Sequence, residues 1–328
     1  MAITTDPSTY VGKVDNVIMT EVFYTSKTLD LRLAELVPNV KGTIQLPKIT
    51  NTDAGIRAAT CNTDNTGIVS ETDSVVLTVC NYQILQRVCK DQLTPVFNDA
   101  GLFFANAGMK NYPVEYLNAI VNAELKKINE RMDKIWWLSE AGNVALDADL
   151  QVCDGFLYKI ANDSTVIDVA SPIALTAANV KGELTRLFEV IPPEVMEKHS
   201  SDNDLYIAVS PVTFQKIRVA MASDSYSTAP AFTNVAITTL SGIYNTIAYL
   251  GIPIIASNGL KRASGTDNLM VCTFTSNLRV GTDASSDFNT VEAMDIEQYG
   301  HGRNVQLTGG FRSGVEIIFG KYIVAYGV

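Results

Sequence analysis

Residues Leu46–Val79 read LPKITNTDAGIRAATCNTDNTGIVSETDSVVLTV, and most of them are Thr, Asn, Asp, Ser or small side chains. A compact domain gains nothing from a connection this long, because the usual link between elements is about 4–6 residues. Strand-like sequence flanks the stretch. GTIQLP places Ile44 and Leu46 on one face of a strand, and DSVVLTVCNYQILQRV returns as another. Two limbs around a polar tip make an oversized hairpin, and roughly fifteen residues per limb at ~3.3 Å each reach ~50 Å. Such a segment stays mobile unless something holds it, and the chain's own core is a poor candidate. The expectation is that another chain holds it, with Lys48, Arg57, Asp64 and Glu71 as contacts between subunits.

The rest of the chain is well able to build a core. Its 328 residues suffice for one large domain or two ordinary ones, and 47% of them are hydrophobic. Acidic residues outnumber basic ones 35 to 25, for a net charge of -10. That balance opposes sequence-independent gripping of nucleic acid, which needs a basic face to replace phosphate counterions. The five cysteines, Cys61, Cys80, Cys89, Cys153 and Cys272, form no C-x-x-C pair and read as reduced thiols in a cytoplasmic setting. MAITTDPSTY has neither a basic nor an apolar signal region, and no apolar run reaches the ~18 residues of a membrane span. A soluble protein made in the cytoplasm, with no membrane partner, is expected.

The most regular segment is PVEYLNAIVNAELKKINERMDKIWWLSEAG. Leu117, Val121, Leu125, Ile128, Met132 and Ile135 step by three or four and form one apolar stripe, with Pro113 suited to a first turn and Gly142 to a stop. The spacing predicts a helix over 113–141, a rod of ~42 Å at 1.5 Å per residue. Trp136 and Trp137 are neighbours and point about 100° apart. Either one indole fills the core while the other covers an edge, or the outlying ring anchors a subunit contact. Both join the candidate assembly contacts. Further on, Val180, Leu184, Leu187, Phe188 and Ile191 share a helical face with Thr176 as cap, and Pro192-Pro193 end that helix. DLYIAVSP reads as a strand followed by a helix that Ser210 caps and Pro211 opens. The tail predicts a long hairpin turning near Gly300-His301-Gly302 and a last strand, YIVAYGV, inside a sheet.

Chemistry is scarce. His199, placed in a solvated loop, and His301, in a turn, are about a hundred residues apart, so neither a nucleophilic triad nor a zinc site assembles around them. TGGFRSGV carries no phosphate-loop pattern, and Gly309-Gly310 predict a bulge or close backbone approach. Asp147, Asp149 and Asp154 in DADLQVCDG lack the glycine and terminal glutamate of a calcium loop and read as a solvated turn. No catalytic, cofactor or metal site is expected, and no enzymatic activity. A long arm and a rod helix without a catalytic grouping suit a chain that contacts copies of itself.

Ser210-Pro211 after a strand, Gly251-Ile252-Pro253-Ile254, and Asn277 with Gly281 closing a later apolar strand occur in an order that resembles the major capsid proteins of tailed bacteriophages of the Hong Kong 97 (HK97-like) type. The resemblance covers nearly the whole chain. It implies an α+β capsid fold with residues 1–40 as an N-terminal arm, 41–85 as an extended β-hairpin loop, and 86–159 as a peripheral domain with its spine helix at 113–141. Residues 160–283 would form the axial domain, 284–318 a peripheral strand hairpin, and 319–328 a strand returning to the axial domain.

The function implied is a structural shell protein that assembles into pentamers and hexamers around a double-stranded DNA genome. Its partners would be itself, a portal, and scaffold or auxiliary capsid proteins, with packaged DNA nearby and its place in the virion after assembly in the host cytoplasm. An encapsulin-like shell around cargo enzymes is the alternative. Some relatives join a loop lysine covalently to a distant asparagine; Lys48 is present here, and no such bond is expected.

Overall fold

Residues 12–14, 26–50, 71–89, 127–202, 204–224, 231–240, 242–262, 268–283, 291–295 and 304–328 are described by a computed structural model. Strand β14 (Asn304–Ile317) is the axis of a six-stranded sheet. From Asn304 opposite Cys89 to Ser313 opposite Cys80 it pairs antiparallel with β5 (Cys80–Cys89). Along its other side lie β13 (Val291–Asp295) and then β12 (Leu278–Thr282), while β1 (Gly12–Val14) extends β13 and β2 (Glu35–Val37) extends β12. The hairpin expected in the tail is therefore β13–β14, its turn falling outside the described residues. Gly309 and Gly310 do not form a bulge. They sit opposite Ile84 and Gln83 in an unbroken register.

A seven-stranded sheet carries the second half of the chain. Its order is β6 (Ile167–Asp168), β15 (Val324–Tyr326), β11 (Met270–Phe274), β7 (Leu205–Val209), β10 (Ile252–Ala256), β9 (Ile243–Tyr249), β8 (Phe232–Thr238). Every residue of β7 and of β11 is buried, as expected for strands covered on both faces. Alternate residues divide between two cores. Tyr206, Ala208, Val271 and Ala325 face one cluster, and Leu205, Ile207, Val209, Met270 and Cys272 face the other. The second cluster is closed by α4 (Val180–Val190), α5 (Pro193–Asp202) and α6 (Pro211–Asp224). Ser210 Oγ accepts from the Thr213 amide at 3.1 Å and starts α6 where the sequence predicts. Thr176 and Asn179 exchange side-chain to backbone bonds of 3.3 and 2.6 Å ahead of α4. Within the expected axial span of 160–283, Leu278–Thr282 pairs with β14 and so is a strand of the six-stranded sheet.

Between the sheets lies a helix, α2, over residues 127–138. The expected span 113–126 lies outside the described residues, and the helix stops before Ser139 instead of reaching 141. Trp136 and Trp137 are 1% and 0% exposed, so neither indole is an outward anchor. Each faces a different neighbour. Trp136 Nε1–H donates to Ser313 Oγ of β14 at 2.7 Å, and Trp137 Nε1–H donates to Thr28 Oγ1 of α1 (Lys27–Asp30) at 3.1 Å. A helix packed on two sides buries consecutive residues, which a single-stripe reading does not allow for. Gly259 completes the fit, because a Cβ there would lie 2.3 Å from Trp137 Cδ1. The two cores together make one body that α3 (Phe156–Asn162) and α2 share with both sheets.

Three further expectations change. His199 lies within α5, not in a solvated loop, and burial holds its imidazole pKa below the usual value. Asp147 and Asp149 are not a free solvated pair, since Arg131 donates to them at 2.6 and 2.5 Å. Cys80 and Cys153 form a disulfide with Cα atoms 6.0 Å apart, whereas the sequence reading left both reduced. Their 73-residue separation hides a proximity that only the packing of β5 beside the segment before α3 creates. Cys272 is a free, buried thiol.

Candidate assembly surface

The projecting hairpin is a separate two-stranded sheet of β3 (Thr43–Thr50) and β4 (Glu71–Thr78). Thr43 faces Thr78 at the base and Thr50 faces Glu71 at the far end. Since side chains alternate across a strand, the register puts Ile44, Leu46, Val75 and Leu77 on one face and Gln45, Pro47, Ser74 and Val76 on the other. The apolar face is satisfied in part within the chain, Leu46 packing with Leu77 against Val40 and Val79. Leu77 is fully buried with Val40 and Val79, whereas Ile44 is 38% exposed and Val76, on the opposite face, 47%. A ribbon of two strands is marginal in water by itself, and among the described residues no further strand pairs with either of its outer edges.

The base is fastened to the body in detail. The Val79 amide donates to the Gly42 carbonyl at 2.9 Å, closing the neck. Leu77 lies over Gly281 of β12, where a Cβ would meet its Cδ2 at 2.9 Å. Arg312 reaches across from β14, donating from Nε to Asn81 Oδ1 at 2.8 Å and from Nη1 to the Lys41 carbonyl at 2.7 Å. Tyr82 stacks on Phe311 with ring centroids 5.1 Å apart just beyond the neck. Beside the neck, β5 pairs among the described residues with β14 alone, and Leu85 on one of its faces is 60% exposed. The ten-residue β5 and the ribbon thus adjoin one another.

The candidate contacts read from the sequence fall differently on this surface. Lys48 is on the apolar face of the ribbon, and its Nζ sits 5.0 Å from the centre of the chain's own Phe319 ring. Glu71 opens β4 opposite Thr50, while Arg57 and Asp64 lie outside the described residues. Trp136 and Trp137 are removed from the surface altogether. Ile44, Val76 and Leu85 were missed by the sequence reading, although strict alternation about Leu77 and Ile84 would have pointed two of them outward.

The remaining polar groups are arranged for structure. No group of three or more His, Cys, Asp or Glu suited to a metal ion occurs among the described residues, and no described helix is long and apolar enough to cross a membrane. A cavity of about 760 Å³ lies between α2, α3 and the segment around Lys261, lined by Lys134, Tyr158 and Lys261 over Leu138, Leu146 and Leu157. Its acidic members are committed, Asp147 to Arg131 and Glu140 to Asn143.

No protein-family model and no curated protein matches the chain. Solved structures do. The satellite phage P4 procapsid, determined with its size determination (Sid) protein, has a chain at TM-score 0.56 and 12% identity, over 94% of this chain and 98% of that one. A chain of Gordonia phage Cozz matches at 0.54 and 14%, over 91% and 86%, and the capsid of a native GTA particle at 0.52 and 11%, over 91% and 90%. At such identities the likeness is one of architecture, and it runs along nearly the full length of both partners. The chain has the α+β fold of tailed-phage capsid proteins, the Hong Kong 97 type.

Proposed function

We propose that this chain is the major capsid protein of a tailed bacteriophage, assembling as pentamers and hexamers into an icosahedral shell around double-stranded DNA. The observation that carries the reading is the β3–β4 ribbon, whose outer edges pair with no further strand among the described residues and which exposes Ile44 and Val76. Laid across a neighbouring copy, the ribbon gains the backbone partners and apolar cover that its own chain does not supply. Contacts of this kind are individually weak, and a closed shell repeats them until release requires breaking many at once. The contacts are heterologous, joining different patches on successive copies, and they close when the rotation between copies allows.

The same reading makes the chain a structural protein without catalytic activity. It would act beside a portal and a separate scaffold or auxiliary capsid protein, be assembled in the host cytoplasm and reside in the virion. Net charge of -10 fits a wall that lies near packaged DNA without clamping it. Electron microscopy of the purified full-length protein, alone and isolated from its source particle, tests this. Closed icosahedral shells, filled with DNA when taken from particles, are expected. Shells filled with protein and devoid of nucleic acid would replace the reading with a nanocompartment. A protein that stays monomeric at every concentration and salt would overturn it.

A further inference from the structure

We infer that Cys80 and Cys153 form a redox clasp that sets how firmly the projecting hairpin is held at its neck. The neck is narrow. Between the last residue of β4 and the first of β5 stands one residue, Val79, and the ribbon is a hydrogen-bonded sheet separate from the one that begins at Cys80. Cys80 is therefore the first residue on the body side of the pivot. Its ladder partner is Ser313, and Cys153 Sγ lies 4.0 Å from the carbonyl oxygen of that same residue. The two sulfurs share one seat on β14.

The other end of the clasp is fixed. Two residues after Cys153, Gly155 packs beneath α2, where a Cβ would come 2.9 Å from the Ser139 amide nitrogen. The Gly155 amide donates to the Ser139 carbonyl at 2.7 Å, and Asp154 Oδ1 accepts from the Ala141 amide at 2.9 Å. Joining Cys80 to Cys153 thus ties the pivot to the segment packed beneath the end of α2. Both cysteines are half-buried, within reach of a small reagent, whereas Cys272 is sealed in the core and burial pushes its thiol up to about 12. Of these three cysteines, the pair is the more accessible.

The chemistry needs an oxidant, and a low-molecular-weight disulfide suffices. One cysteine thiolate attacks RS–SR, forming a mixed disulfide and releasing one RS⁻. The second cysteine thiolate then displaces the other RS⁻ and closes the intrachain bond. Two protein thiols lose two electrons, and one RS–SR becomes two RSH. A reducing compartment keeps the clasp open, and an oxidising one closes it.

The clasp belongs to the single subunit, so its test does not depend on shell formation. Full-length protein is reduced, then exposed to oxidised glutathione. Peptide mapping without reductant reads which cysteines join, and hydrogen–deuterium exchange reads the amides of β3 and β4 in both states. The expected result is a Cys80–Cys153 peptide together with several-fold slower exchange in β3 and β4. Cys153→Ser should remove the oxidant's effect on exchange while leaving the circular dichroism unchanged. Failure of the pair to join, although both thiols alkylate when reduced, would overturn the inference. So would a bonded pair with unchanged exchange in β3 and β4.

Discussion

The carbonyl oxygen of Thr78 presses against Gly314, so closely that a Cβ at position 314 would stand 2.0 Å from it. Here the hairpin's last residue meets the sheet's axial strand, and only a hydrogen atom fits between them. Gly314→Ala must lift the neck off β14 or bend the strand. Overpacking of this kind costs typically about 1–3 kcal/mol, and the displaced neck would also loosen Leu77 over Gly281. The expected outcome is a lower urea midpoint with unchanged slope, together with faster hydrogen exchange in β4.

Asp133 of α2 accepts from the backbone amides of Lys27 and Thr28 at 3.1 and 3.0 Å, anchoring α1 from 105 residues away. Burial nonetheless wins over these bonds and raises its pKa above the usual aspartate value of 3.8. A raised folded-state pKa means that the native chain holds this proton more tightly than the unfolded one. The associated stability is fully present below the ordinary aspartate range and is lost as pH rises through the raised value. Asp133→Asn removes that proton and keeps one acceptor. Urea titrations at stepped pH should show wild type losing stability relative to the variant as pH climbs from ~4. A constant gap would refute the linkage.

Arg131 and Asp149 behave with the opposite sign. The side-chain hydrogen bond from Arg131 holds the Asp149 carboxyl below its usual pKa, so the stability it brings is present above the ordinary aspartate range and lost as pH falls through the lowered value. Both groups are about one-third exposed, which limits the pair to roughly 1 kcal/mol or less. Asp149→Asn should lower the melting temperature slightly at neutral pH and leave it unchanged in acid. Because Arg131 already occupies both carboxylates, added calcium should not shift the melting temperature of wild type.

The two tryptophans separate what was legible in the sequence from what was not. Local pattern carried far: Ser210 and Pro211 start a helix, β7 and β11 are continuous apolar runs, and β13–β14 form a hairpin, all because these depend on near neighbours in the chain. Burial of both Trp136 and Trp137 depends on Ser313 and Thr28, more than a hundred residues away on opposite sides of α2, and no periodicity announces that. The Cys80–Cys153 proximity was hidden for the same reason. An assembly anchor would be dispensable to the lone subunit, whereas a core indole is not. Trp137→Ala should cost about 3–5 kcal/mol, read as subunit unfolding at lower denaturant under conditions where no assembly occurs.

Ile44 and Val76 make the converse case. They lie on opposite faces of the ribbon, both are exposed, and neither is part of a core cluster. Substitution of Val76 by aspartate should change subunit stability by no more than about 0.5 kcal/mol, as for surface positions generally, whereas Ile44→Asp, opposite the buried Leu77, should cost more. In a shell, the same carboxylate would be pressed into an apolar contact without a partner, and stripping its water without compensation costs about several kcal/mol at every repeat of the contact. Val76→Asp subunits should therefore melt like wild type, Ile44→Asp subunits should melt lower but still fold, and both should fail to form particles by electron microscopy and sedimentation. Particles of normal size and yield from both variants would show that neither face of the ribbon lies against a neighbour.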